Sequence, residues 1–366
     1  MAEFINTKKE IFLGDMYFKE HVMPVDFEYK KFKKETNTFF SNYGFNVSKM
    51  YKAFYTMMNG IESDHYMSMD LYYFYVLPAL NKYDFKDAWL DKNIYSSLFP
   101  DARQPKSVVK NMNGLYFIDG KMLSEDEAIR IVSSNTKLMI MKPTIQTCNG
   151  EGVRQIKGNE NMCVVKQLFD EYKRDFIIQE KAEQHEVLNQ LNSSSLNTIR
   201  IFTYRNLDRE ISCLDVFFVR FGEKDAIMDN VSAGGVLCPV SVDGLIEDDI
   251  YRFKKLKKGS LFKEKNLTNL IIPSFSDAKL LAISLHERLP YFDFVGWDIY
   301  IDSDGTPSFI EYNLVPSCEG PQMIKPLFGC FIDEVLQRAS KVEKSNVNYL
   351  KSTFDDGKSV FYLDIR

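Results

Sequence analysis

The chain has no C-x-x-C pair and no grouping of cysteine with histidine. Its six cysteines (Cys148, Cys163, Cys213, Cys238, Cys318 and Cys330) stand far apart, which argues against a zinc site or a disulfide framework and fits a reducing, cytoplasmic setting. No apolar run approaches the roughly 20 residues of a membrane span. The opening MAEFINTKKEIFLGD carries charge where a signal peptide would hold its apolar centre. Positive charge is not in excess either. A net charge of -5 argues against a nucleic-acid backbone as partner and leaves open only a local basic groove. Internal repeats and low-complexity linkers are also missing.

What is present is an ordinary soluble composition, 366 residues with 45% hydrophobic and 27% charged, enough for two or three lobes. Aromatic residues are abundant, with 29 Phe and 20 Tyr, and the excess lies in the first third. Residues 1 to about 90 read as mostly helical. Their aromatic stripe, from Phe27 through Tyr55 and on into LYYFYVLPALN, reads as core between packed helices rather than as a sugar-stacking platform. YDFKDAWLDKNIYSSLFPDARQP reads as a short helix closing into a loop. VVKNMNGLYFIDGK reads as strands turning at Asn113-Gly114 and Asp119-Gly120, and SEDEAIRIVSS as a helix with a Ser124/Glu127 capping box. Residues Ser276 to Leu289 form an expected amphipathic helix with Leu280, Leu281, Ser284, Leu285 and Leu289 at helical spacing. The tail, ending KSVFYLDIR, is expected to add an edge strand.

Chemistry concentrates in GWDIYIDSDGTPSFIEYN, Gly296 to Asn313, which reads as a hairpin turning at Asp302-Ser303-Asp304-Gly305. Centred between Asp304 and Gly305, it sets Asp298 opposite Glu311, with Asn313 on the same face. Two facing carboxylates repel, so a cation is expected between them, and an Asp/Glu/Asn oxygen set suits Mg²⁺. Replacing one acid by its amide should therefore relieve strain. A solvated outer face is the bland alternative.

Lys142 ends the expected buried strand KLMIMKP, and a loop with Asn149, Gly150 and Gly152 follows. Such a lysine and such glycines can serve phosphate oxygens, although on this loop alone a plain hairpin is the favoured reading, since N-G-x-G is shorter than a Walker A loop and no G-K-[ST] follows. DFIIQEKAEQHE reads as a strand over Asp175 to Gln179 whose exit offers backbone groups to a nucleotide base, with Glu186 within reach of a ribose. Arg200 lies in LNTIRIFTYRNLDREISC, two strands around Asn206-Leu207-Asp208, where it either clamps a phosphate or pairs with an acid. Gly234-Gly235 marks a flexible point or a tight loop.

Taken together, YMSMDLYYFYVLPALN, DKNIYSSLFPD, VVKNMNGLYF, IMKP with NGEG, FIIQEK, SSSLNTIRIFTY, DNVSAGGV and GWDIYID…PSFIEYN resemble the sugar-transfer-associated ATP-grasp proteins, including the teichuronopeptide-biosynthesis type. The resemblance spans about residues 66 to 335. It implies an α+β ATP-grasp fold, two α+β lobes clasping a nucleotide, behind the helical aromatic-rich N-terminal region. The divisions are then 1–90 for that region, 91–182 for the first lobe, 183–340 for the second and 341–366 for the tail. ATP and Mg²⁺ are the implied cofactors, with Asp298, Glu311 and Asn313 as metal ligands. Lys92 and Lys142, with the loop of Asn149, Gly150 and Gly152, are implied at the phosphates. Adenine is placed near Gln179, Glu180, Lys181 and Ala182, and the ribose at Glu186 or Glu183. Related carboxylate ligases carry an arginine two positions before the first metal aspartate. Gly296 stands there, and Arg200 is expected to supply the charge, making Arg200 and Lys142 the catalytic candidates.

The implied activity is ATP-dependent carboxylate–amine ligation through an acyl phosphate, amidating a sugar acid or polysaccharide precursor with an amino acid or amine. Enzymes of glycosyl-transfer pathways are the implied partners. A small-molecule or sugar kinase and a non-catalytic nucleotide-binding module are the alternatives.

Overall fold

The computed structural model describes all residues except 1–3, 25–26, 33, 146–151, 224–234, 253–256, 343–350, 356–357 and 363–366. Two antiparallel sheets organise it. The first has the order β3-β2-β1-β6-β4-β5, built from β1 (Ser107–Met112), β2 (Leu115–Ile118), β3 (Lys121–Leu123), β4 (Met139–Pro143), β5 (Arg154–Ile156) and β6 (Phe176–Glu180). Its two tight turns fall where expected, because Asn113 and Gly114 take φ of 51° and 87°, and Asp119 and Gly120 take 46° and 77°. Both positions of such a turn need positive φ, which Asn-Gly and Asp-Gly tolerate. The capping box forms as read: Ser124 Oγ accepts the Glu127 N–H, and the Glu127 carboxylate accepts the Ser124 N–H at 2.8 Å. Helices Glu125–Ser134 and Met162–Tyr172 bury Ile129, Val132, Val165 and Phe169 against Val109, Met141 and Ile178.

The second sheet runs β12-β11-β10-β9-β7-β13-β14, with β8 paired to β7. Its strands are β7 (Thr198–Arg205), β8 (Ile211–Cys213), β9 (Phe217–Phe221), β10 (Val236–Val240), β11 (Asp249–Arg252), β12 (Lys257–Ser260), β13 (Phe294–Ile301) and β14 (Pro307–Asn313). Every residue of β7 and β13 is buried. One face packs Ile199, Ile201, Trp297 and Ile299 against helix Phe275–His286 and against Tyr95 and Phe99. That helix starts one residue earlier than read. Its core side is Phe275, Ala278, Ala282 and Leu285, while Leu280 is 63% exposed. The leucine spacing placed Leu281, Leu285 and Leu289 on the core side and misplaced Leu280, because Ala278 and Ala282 share the close approach to the sheet.

The opposite face belongs to the N-terminal helices. Helix Lys8–His21 opens with a Thr7/Glu10 capping box, and helix Lys49–Asn59 buries Tyr51, Phe54, Tyr55 and Met58 before Gly60 (φ 77°) closes it. Phe18 lies 4.7 to 5.8 Å from the Tyr51, Phe54 and Tyr55 rings. Burying each such ring contributes about 1.5–3 kcal/mol, so the aromatic stripe is indeed core. LYYFYVLPALN forms a helix that widens into a π turn over Tyr72–Val76 just before Pro78. Proline has no N–H for the Phe74 carbonyl and would clash with it, and the wider turn makes room. These helices share one core with Phe202, Tyr204, Phe218 and Phe294 of the second sheet and with helix Ile332–Ala339. Among the described residues, the tail strands Lys351–Asp355 and Lys358–Tyr362 pair with each other and extend neither main sheet. No helix among the described residues is long and apolar enough to cross a membrane.

Two connections join the sheets, residues 99–106 into β1 and residues 181–185 out of β6, and both fasten to the β13–β14 turn. Arg103 pairs with Asp302 at 3.0 Å and with Asp304 at 2.6 Å, and its carbonyl accepts the Phe309 N–H at 2.8 Å. From the other side, Glu183 O accepts the Ser303 N–H at 3.1 Å, and the His185 N–H donates to Ile301 O at 2.8 Å.

Candidate active site

The β13–β14 register places Asp298 opposite Glu311 and Gly296 opposite Asn313, as the sequence spacing requires. A bulge after Asp298 then shifts the remaining pairs by one residue, to Ile299 with Phe309. Along β13, Trp297, Ile299 and Ile301 enter the core beneath the sheet, so Asp298 emerges on the other face with Phe294.

Two cationic side chains of the chain itself stand at Asp298. Arg200 lies directly across from it on β7, and its Nε and Nη2 donate to Oδ1 at 2.6 Å and Oδ2 at 3.1 Å. Arg220 on β9 adds an Nη2 contact to Oδ2 at 2.9 Å and also holds Thr198 Oγ1 at 2.9 Å. Burial alone would push the Asp298 carboxyl up, but Arg200 and Arg220 hold it below the usual carboxylate range. Gly296 makes room for this: a Cβ there would lie 3.1 Å from Pro316 Cβ and 3.6 Å from Arg200 Cδ. The stem of Arg200 thus passes beside the position where an arginine was missed in the sequence.

Lys92 and Lys142 meet the hairpin from the side of the first sheet. Asp91 caps the turn Lys92–Ile94, the Lys92 N–H donates to Thr144 O at 3.2 Å, and Asn93 Nδ2 reaches Thr144 Oγ1 at 3.1 Å. Thr144 follows Lys142 by two residues, so this docking sets the two lysines side by side. Lys92 Nζ stands 3.7 Å from Glu311 Oε2. Burial lowers the Lys142 ammonium to about 8; Glu311 pulls it back up, and Lys92 lowers it further. The Asn313 amide leans on Asp298 Oδ2 at 3.5 Å.

The remaining candidates are distributed unevenly. Gln179 Nε2 donates to Pro105 O at 3.1 Å, and the Glu180 carboxylate is held between Lys137 and Lys106, which lower its pKa. Glu180 N–H and Lys181 N–H already donate to Lys106 O and Leu138 O, and Ala182 continues the same connection. Glu186 is exposed at the start of a short helix, Glu186–Asn189, and Glu183 is exposed; no bond from either to the lysine–carboxylate cluster is found among the described residues. Gly152 takes φ 73° against Pro143. Asn149, Gly150 and Gly234 lie outside the described residues.

The structure therefore brings Lys92, Lys142, Arg200, Asp298, Glu311 and Asn313 into one cluster. Arg220 was missed. The signal was available in FFVRF, where strand alternation puts Arg220 on the same face as Phe218 and so demands a buried partner. As a host for Mg²⁺ the donors are of the right kind, with Glu311 33% exposed and Asn313 beside it, while Asp298 is fully enclosed.

No protein of curated function matches the sequence. Among solved structures, the chain is similar to the ATP-grasp ligase PsnB complexed with minimal precursor, at 11% identity over 71% of this chain and 64% of that one, TM-score 0.42. It is also similar to N5-carboxyaminoimidazole synthetase from Staphylococcus aureus complexed with ADP, at 8% identity over 69% and 52% of the two chains, TM-score 0.41. A third is PsnB complexed with a phosphomimetic variant of minimal precursor, Mg and ADP, at 11% identity over 69% and 59%, TM-score 0.41. The chain thus spans less than two thirds of each of these proteins. The family model for sugar-transfer-associated ATP-grasp proteins matches residues 79–329, more than half of the sequence. The chain belongs to the sugar-transfer-associated ATP-grasp family.

Proposed function

We propose that this chain is an ATP-dependent ligase that joins a carboxylate to an amine. The observation that carries this reading is the meeting of Lys92 and Lys142 with Glu311, Asp298 and Asn313, since Lys92 Nζ stands 3.7 Å from Glu311. Phosphate-type cations on one side and oxygen donors on the other are what a metal-bound triphosphate requires. The family assignment and the ligase neighbours support the same reading.

In this reading Lys92 and Lys142 neutralise phosphate oxygens, and Arg200 stabilises charge on the group in transfer. The backbone from Gln179 to Ala182 holds the base, and Glu186 or Glu183 the ribose. Mg²⁺, held by the oxygen set of the hairpin, would neutralise charge on the triphosphate. A substrate carboxylate oxygen attacks the γ-phosphorus and ADP leaves. The amine nitrogen then attacks the acyl carbon, phosphate leaves, and the amine proton passes to solvent or phosphate. Positioning and electrostatics carry most of such a reaction. The family's sugar-transfer description makes a sugar acid, in cell-surface polysaccharide synthesis, the carboxylate of choice.

The test is ADP release with Mg²⁺ against uronic acids crossed with amino acids, with products identified by mass. An amide with ADP and phosphate is expected, and Glu311→Gln should cut the rate by about 10²–10³. A stable phosphorylated product would instead identify a kinase, and wild-type protein that binds no nucleotide would overturn the reading.

A further inference from the structure

Asp298 is buried and engaged by arginines on both of its oxygens. Its side chain has 0% exposure, and three guanidinium N–H groups reach it, at 2.6 and 3.1 Å from Arg200 and 2.9 Å from Arg220. A carboxylate offers about four lone-pair sites, so these three contacts leave one, and the Asn313 amide nitrogen leans on Oδ2 as well. Glu311 also meets the Asp298 carboxyl, but it is part exposed, and Lys92 stands at 3.7 Å, beyond hydrogen-bond distance. A metal arriving at Asp298 would have to displace a dry, bidentate arginine fork, whereas at Glu311 it meets a carboxylate open to solvent.

We propose that Asp298 is the anchor of an arginine pair and not a magnesium ligand, so that the metal rests on Glu311 and Asn313, with Arg220 joining Arg200 as a positioned charge of the site. This deepens the ligase reading and rests on it. Asp298 gathers guanidinium groups from two different strands, β7 and β9, onto one carboxylate, and Thr198 Oγ1 steadies Arg220 from behind at 2.9 Å. Gly296 borders the same device: a Cβ there would crowd Pro316 at 3.1 Å and meet the stem of Arg200 at an ordinary contact distance of 3.6 Å. The charge count agrees. Arg200, Arg220, Lys92 and Lys142 face Asp298 and Glu311, four cations against two acids. That surplus of two positive charges complements a nucleoside triphosphate carrying one divalent cation.

The test separates metal affinity from turnover in the full-length chain. Mn²⁺ is titrated by electron paramagnetic resonance in the presence of the non-hydrolysable analogue AMPPNP, and ADP release is measured in parallel with Mg²⁺. Glu311→Gln is expected to weaken Mn²⁺ binding beyond the roughly 10–100-fold cost of an outer-sphere partner, whereas Asp298→Asn stays at the lower end of that range, about tenfold, and still loses turnover. Equal loss of Mn²⁺ affinity in Asp298→Asn and Glu311→Gln overturns the proposal. Asp298→Asn strands two buried guanidinium groups and can fail to fold, so Arg220→Gln is the second variant. It is expected to keep Mn²⁺ affinity within about tenfold while ADP release falls by at least about tenfold, with Arg220→Lys recovering part. Wild-type turnover in Arg220→Gln overturns the proposal as well. Absence of Mn²⁺ binding in the wild-type chain with AMPPNP is a different result, and it overturns the ligase reading itself.

Discussion

Asp298 and Asp70 are both buried acids, one on the second sheet and the other beneath the N-terminal helices, and the chain settles their burial in opposite ways. Asp298 receives two guanidinium groups and keeps its charge. Asp70, 1% exposed, accepts one amide hydrogen bond from Asn6 at 2.8 Å, and its other oxygen has no partner. Helix Lys8–His21 presses on it at Gly14, where a Cβ would lie 2.7 Å from Asp70 N. No ion pair forms there among the described residues, so burial pushes the Asp70 carboxyl up to about 6, with Ser68 and Asn6 pulling it down and Asp15 adding to the rise. An acid that must stay ionised is given arginines. An acid that only fills a helix contact is left without a cation, and burial raises its pKa.

The sharpest way to break this comparison is Asp298→Asn. Removing one partner of a buried ion pair leaves charge uncompensated, so a loss of about 3–5 kcal/mol is expected by urea denaturation, together with loss of turnover. This reverses the gain that facing carboxylates suggested, because the arginines, not Glu311, dominate around Asp298. An unchanged midpoint would put both buried acids in one class.

Asp70→Asn should do the opposite. The folded state raises this carboxyl above its ordinary value, so it binds the proton more tightly than the unfolded chain does. That favourable contribution is complete below the unfolded pKa and is lost as pH rises through about 6. Asp70→Asn is therefore expected to gain about 1–3 kcal/mol over wild type at pH 7.5, with the gain vanishing near pH 4. A constant difference across that range would show that packing, not ionisation, is responsible.

The smallest effect is expected at Glu319, a second cation-free buried acid, whose carboxylate takes the Tyr73 hydroxyl at 3.1 Å and whose pKa burial raises. Tyr73→Phe should cost only about 1 kcal/mol in the same denaturation experiment. A loss as large as that of Asp298→Asn would mean Glu319 is ionised and dependent on that hydroxyl.

The hairpin was legible because strand alternation and a turn centred on Asp304-Gly305 leave little freedom in how Asp298 meets Glu311. The Asn-Gly and Asp-Gly turns and the Ser124 cap were legible for the same reason: each is a local rule with a local cause. What escaped was long-range. The bulge after Asp298 has no local signature, and Arg220 reaches Asp298 from a strand 78 positions earlier in the chain, across β7. Leu280 was misassigned because leucine spacing says which face is apolar, not which face is small enough to approach a sheet. The sharing of one core between the N-terminal helices and Phe202, Phe218 and Phe294 depends on shape complementarity between distant segments, which no periodicity encodes.

The two connections pinned at the β13–β14 turn enter and leave the first sheet at β1 and β6, which are neighbours at its centre. The sheet is fastened a second time where Asn93 Nδ2 reaches Asn111 O at 2.9 Å and Thr144 Oγ1 at 3.1 Å. With both fastenings made, the turn that bears Lys92 and the strand that bears Lys142 hold a common spacing against Glu311, so the two lysines act on the carboxylate as one rigid pair rather than as separate arms.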